Sequence, residues 1–167
     1  LQYNSLAMQL MDRPEGGLAV CTALLKKAEV LTGSVGLLPA KETRLKLRAL
    51  TCNNFGCALM HFGKLHTALR YLDRALRIEA AHPELCENPA GTHLNICAIL
   101  SKLDKHDKAV QHALCALELI SARVSSQGMD SVSQDEYSVL AIAYHNVAVE
   151  RDYMHQYDQA ATAYQQG

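Results

Sequence analysis

The chain has 167 residues, enough for one domain of ordinary size to bury a core or a stack of repeat interfaces. Sixteen Lys and Arg against seventeen Asp and Glu leave a net charge of −1, so no global field draws in nucleic acid or an anionic membrane. Two Phe, no Trp and an abundance of Ala and Leu suit closely packed helices.

In chain order, residues 1–11 carry Leu6, Leu10 and Met11 at helical spacing and run into Asp12-Arg13-Pro14-Glu15-Gly16-Gly17, a breaker cluster. A second helix is predicted over about 17–31, closed by Thr32-Gly33-Ser34-Val35-Gly36. Pro39 starts a long helix to Phe62, Gly63 ends it, and another helix follows over 65–80. Residues 81–91, from Ala81-His82-Pro83 to Pro89-Ala90-Gly91, read as a loop with Thr92 as the N-cap of the next helix. Helices over 92–103 and 106–121 come next, then a polar linker at Ser125–Ser131. Ser133-x-x-Glu136 is a capping box that opens a helix to about Met154, and a last helix starts near Gln156. The chain opens on Leu1 and stops inside that last helical pattern, which reads as a piece cut from a longer protein.

Three of these helix pairs share one apolar frame. Phe55-Gly56-x2-Leu59 is followed, thirteen residues after Phe55, by Ala68-x3-Leu72-x2-Ala75. Ile96-Cys97-x2-Leu100 is followed at the same distance by Ala109-x3-Ala113-x2-Ala116, and Val147-Ala148 by Ala160-x3-Tyr164. Small residues at Gly56, Cys97 and Ala148, and again at Ala68, Ala109 and Ala160, allow two helices to cross closely. The first pair is degenerate, with fifteen positions between Leu6 and Cys21. The repeats are therefore placed at 1–38 (degenerate), 39–82, 90–124 and 132–167, within a single all-α domain spanning the chain.

The pattern resembles the tetratricopeptide repeat, whose helix-turn-helix unit carries W-x2-L-G-x2-Y, then A-x3-F, then P. The expected fold is thus an α-solenoid, a right-handed superhelix of about four antiparallel helix pairs. Phe55 to Ile96 is 41 residues and Ile96 to Val147 is 51, against 34 in the standard unit, and the excess sits in the links between pairs. Thr51-Cys52-Asn53-Asn54-Phe55-Gly56-Cys57-Ala58-Leu59, with Gly63-Lys64-Leu65-His66-Thr67-Ala68 after it, is similar to the longer tetratricopeptide unit of kinesin light chains. Departures are Arg151, where that family has a large apolar residue, and Ala113, where it has Phe or Tyr.

Asn54, Asn95 and Asn146 each precede the first anchor of their repeat, and Asn53 and His145 add a second polar position just upstream. Such a ladder has two readings. The amides hold neighbouring repeats in register, or they point into a concave face and pair with the main chain of an extended peptide. His61, Lys102 and Tyr153 lie seven residues further on, two turns along the same face, and extend the lining. The kinesin light chain resemblance implies a groove that binds short peptide segments of cargo or adaptor proteins, with the asparagines on the peptide backbone. It also implies a cytoplasmic setting, associated with the cytoskeleton or a cilium. The segment bound would be extended or helical, and two rivals stand beside this reading: a structural spacer that self-associates through exposed repeat ends, and a co-chaperone that binds C-terminal tails. The second lacks its basic clamp, since the corresponding positions hold Ile142 and Asn146, or Gly91 and Asn95.

Other chemistry has little footing in the sequence. No phosphate loop, nucleophile elbow or H-E-x-x-H pair occurs, which points away from an enzyme, and no cofactor is implied. Cys57-x3-His61 and His93-x3-Cys97 have two-ligand metal spacing, but their cysteines belong to the repeat frame, so no metal is expected. The six cysteines include no CxxC pair and are read as reduced packing residues of an intracellular protein. His66, His82, His106, His112 and His155 are placed on the surface. The basic run Arg70, Arg74, Arg77 is interleaved with acids and reads as a solvated face, not a nucleic-acid site. No apolar run approaches membrane-spanning length and nothing at the start resembles a signal peptide.

Overall fold

The computed structural model describes residues 1–13, 17–33, 40–86, 88–127 and 132–167, the side chain of Gln127 excepted. The breaker at residues 14–16, the joint at 34–39 and the linker tip at 128–131 lie outside the described residues. Those described form eight α-helices, one short 3-10 turn at Pro83–Leu85 and no strand. The helices are α1 (Gln2–Met11), α2 (Leu18–Gly33), α3 (Lys41–His61), α4 (Leu65–Ala81), α5 (Pro89–Ser101), α6 (His106–Gln127), α7 (Gln134–Tyr153) and α8 (Tyr157–Gln166). They group into two compact units, residues 1–87 and 88–167.

In each unit every helix packs on the next, and the first also touches the third: α1 on α3, α5 on α7. Neighbours run antiparallel. Across α6 and α7, His106 meets Glu150 while Arg123 meets Glu136, so the numbering rises on one helix and falls on the other. The alternate helices α1 and α3 run parallel, because Asn4 bonds Thr51 and Asp12 approaches His61. This consecutive packing is what a helical repeat requires, since one helix pair cannot bury its apolar face alone.

The repeat frame reappears in the backbone of three turns. Gly63 has φ 72°, Asp104 φ 54° and His155 φ 60°, all in the left-handed region. Each is followed by an N–H that reaches back five residues: Lys64 to the carbonyl of Leu59 (2.7 Å), Lys105 to Leu100 (2.9 Å) and Gln156 to Arg151 (2.8 Å). This is the Schellman closure, which satisfies carbonyls that a helix end leaves unpaired. The three residues are separated by the 41 and 51 positions that separate the apolar anchors. Only the first is glycine, so Asp104 and His155 carry a left-handed conformation that L side chains resist. Gly63→Ala is expected to destabilise by about 1 kcal/mol, while Asp104→Gly stabilises by up to about the same amount. His155→Gly should gain less, because it removes a 2.8 Å contact between Nδ1 and the Tyr157 hydroxyl. Urea unfolding checks this, and a neutral Gly63→Ala would remove the turn argument.

The small residues of the frame are buried: Cys97, Ala148, Ala68, Ala109 and Ala160 are 3% exposed or less, and Gly56 is buried with them. Phe55 is buried beneath Tyr71, the rings stacked at 4.4 Å. In the second unit Ala90, Leu94, Ala116, Ile120 and Ala143 form one core cluster, drawn from α5, α6 and α7. Tyr164 departs from the frame. It is 50% exposed where Leu72 and Ala113 are fully buried, and Ala163 takes the inward position of α8.

Two element ends differ from expectation. Helix α5 starts at Pro89, and its N-cap is Asn88, whose Oδ1 accepts the Gly91 N–H at 2.9 Å. Proline at the first helical position costs no intrahelical bond, so Pro89-Ala90-Gly91 opens the helix and Thr92 is buried inside it. Helix α6 runs through the expected linker at Ser125 and Ser126 to Gln127. No glycine or proline interrupts that stretch, and Val124 packs on the core of the second unit. The capping box is present: Ser133 N–H donates to Glu136 Oε2 (2.9 Å) and Glu136 N–H to Ser133 Oγ (3.2 Å). The Ser133 backbone N–H first, and then the Ser133 hydroxyl, which donates to the same Oε2 at 2.9 Å, hold the Glu136 carboxyl below its ordinary pKa.

Candidate functional site

The polar ladder occupies the first helix of each pair. In the first unit Asn53 and Asn54 sit half-buried on α3. In the second, Asn95 on α5 and Asn146 on α7 are half-buried, on helices that pack against each other. The amides are not equivalent. Asn53 and Asn95 already interact with neighbouring groups, whereas Asn54 and Asn146 have no side-chain partner among the described residues. A half-buried amide without an internal bond keeps two donors and an acceptor for another molecule.

The residues two turns further on are exposed and end their helices. His61 is the last residue of α3 and lies 3.7 Å from the Asp12 carboxylate. Lys102 caps α5 at its C-terminus. Tyr153, the last residue of α7, is 61% exposed, and His145 is exposed with its ring edge toward Tyr164 at 6.1 Å.

Beside Asn146 lies an arrangement the sequence did not reveal. Glu150, one turn beyond it, has a side chain only 3% exposed, and its Oε2 meets His106 Nδ1 at 2.7 Å. His106 begins α6, is itself 20% exposed, and stacks on Tyr153 with ring centroids 4.4 Å apart. Tyr153 is thus seated on a histidine that a buried carboxylate holds in place. The expected surface position of His106 is incorrect, because its partner lies 44 residues away on another helix. A signal did exist: Glu150 occupies the repeat slot of Ala58 and Ile99, both fully buried, and a carboxylate there needs a donor.

His112 was also expected on the surface. It is half-buried against His93, with the two Nδ1 atoms 3.0 Å apart. Neutral rings satisfy this contact, one donating and one accepting, whereas two protonated rings present two donors to each other. Burial, followed by the neighbouring His112 charge, lowers the His93 pKa. The unfolded chain then binds the His93 proton more tightly than the folded one. The stability contribution is fully present above the ordinary histidine value and is lost as pH falls through it toward the folded value. The melting temperature should fall as pH drops below about 6.5, and less steeply in His93→Gln. An unaltered slope in that variant would contradict the assignment.

All six cysteines are free. Burial pushes the Cys57 thiol up to about 11. Burial together with the Glu150 charge pushes Cys97 up to about 12. Both therefore stay protonated at neutral pH. Among the described residues no group of three or more His, Cys, Asp or Glu side chains is arranged to hold a metal ion. Within the same residues no helix is long and apolar enough to cross a membrane. The basic run on α4 is not uniformly solvated: Arg74 bonds Glu29 on α2 at 2.7 Å and lies over the Tyr71 ring.

No protein-family model matches the chain, and no curated protein matches it.

Proposed function

We propose that this chain is a helical-repeat interaction module of the tetratricopeptide type, an α-solenoid with long units, that binds an extended peptide segment of a partner protein along its first helices. The observation that carries the reading recurs in each unit: one half-buried amide at the repeat register, Asn54 in the first and Asn146 in the second, has no internal partner among the described residues. A structural role alone would leave those amides bonded within the chain, as Asn53 and Asn95 are engaged. The recurring left-handed turns at Gly63, Asp104 and His155 support the repeat assignment. Amide pairing to peptide main chain would supply sequence-independent affinity. Selectivity would come from His61, Lys102, His145 and Tyr153, whose side chains are exposed next to the ladder.

Selection from a displayed library of random peptides, followed by titration of the enriched sequences, tests the proposal. Asn54→Ala and Asn146→Ala should each weaken binding by roughly tenfold, the loss of one or two hydrogen bonds, at an unchanged melting temperature. Asn53→Ala and Asn95→Ala should cost stability as well. Enriched peptides that bind all four variants like the parent would refute the groove.

A further inference from the structure

Helices α6, α7 and α8 form a cavity of about 230 Å³ in the second unit. Leu114, Leu117 and Val147 supply an apolar wall, Gln159 and Thr162 a polar rim, and Arg151 the only charge in the lining. Arg151 occupies the repeat position that Leu59 and Leu100 fill with buried leucine. Its Nε is buried without a hydrogen-bond partner, and its side chain has no ion-pair partner among the described residues. Neither Asp nor Glu lines the cavity. The residue as a whole is half-buried, so its shielded Nε is a donor left without an acceptor, and the planar fork that carries it matches a carboxylate.

We infer that the cavity binds a short-chain monocarboxylic acid, with the carboxylate on Arg151 and the hydrocarbon tail against Leu114, Leu117 and Val147. The chemistry of the lining selects both parts: one unpaired cation for the head, a leucine and valine surface for the tail. The volume, below that of sites for drug-sized molecules, suits a short tail. At 100° per residue, Tyr144, Val147 and Arg151 share one face of α7, roughly 120° around the helix from Asn146, Glu150 and Tyr153. The site is therefore distinct from the asparagine ladder and stands or falls without it.

Titration of the chain with hexanoate, acetate and hexanol, followed by calorimetry and by amide NMR shifts, tests the inference. Hexanoate should bind saturably and shift amides of α6, α7 and α8. Acetate, lacking the tail, and hexanol, lacking the charge, should each bind at least tenfold more weakly. Arg151→Met should remove hexanoate binding. Gln159→Glu, which places a carboxylate in the same lining, should weaken it at least tenfold and decides the matter if Arg151→Met does not fold. Absence of saturable hexanoate binding at millimolar concentrations overturns the proposal. Hexanol binding as tight as hexanoate, or a folded variant that binds hexanoate like the parent, overturns it equally.

Discussion

Alanine at position 106 is expected to destabilise the chain by about 3–5 kcal/mol, the penalty of leaving a buried charge without its partner. The Glu150 side chain is 3% exposed, and the 2.7 Å contact with His106 is its only hydrogen bond among the described residues. The substitution also removes the ring stacked on Tyr153. Two further variants separate these contributions. His106→Phe keeps an aromatic ring against Tyr153 but not the bond to Glu150, and should lose nearly as much as alanine if the carboxylate dominates. His106→Phe combined with Glu150→Met removes the stranded charge and should recover most of the stability, since an apolar replacement of a whole buried pair is often neutral. Thermal unfolding measures all of these. A single His106→Ala variant as stable as the parent would show that Glu150 finds another donor or water.

Gly56 is the second position with a large expected effect. A Cβ built there would lie 2.4 Å from Leu72 Cγ and 2.5 Å from its Cδ2. Leu72 is fully buried, so its side chain has nowhere to retreat. Alanine in a helix interior ordinarily gains up to about 1 kcal/mol over glycine. Here overpacking of about 1–3 kcal/mol outweighs that gain, and Gly56→Ala should be destabilising. Gly56→Val should lie at the upper end of that range or beyond. The physical cause has a specific signature. In a Leu72→Ala background, itself costing about 2–5 kcal/mol, the obstruction is gone and Gly56→Ala should become stabilising. A double-mutant cycle with no coupling between the two sites would refute the close-crossing account.

Much of this fold was legible before any coordinates because it is set locally. Helical periodicity, the capping box at Ser133 and Glu136, and the terminating glycine at Gly63 act over a few residues. The small residues at fixed spacing predicted close helix crossings; Gly56, Ala68, Cys97, Ala109, Ala148 and Ala160 are all buried, and Gly56 lies directly against Leu72 of the next helix. Local rules misled at Thr92 and Ser125 for an equally local reason. Asn88 followed by Pro89 is a stronger helix start than Thr92, and the stretch after residue 121 contains no breaker until Gly128.

The polar pairings were of another kind. His106 and Glu150 are 44 residues apart, Asn4 and Thr51 47, and Glu29 and Arg74 45. Which of these groups meet depends on the register and rotation of packed helices, and shifting one helix by a single residue would rotate every partner about 100° away. The same holds for the candidate site. Recurrence alone marked Asn54, Asn95 and Asn146 as a set, whereas in the structure Asn53 and Asn95 are engaged and Asn54 and Asn146 have no internal partner among the described residues. The helices, their turns and their small-residue crossings were thus determined by the sequence itself, through chemistry that acts within a turn or two. Tertiary structure alone decided that His106 holds Glu150 and that Arg151, without an ion-pair partner among the described residues, lies beside a cavity, because each depends on what a distant helix brings near.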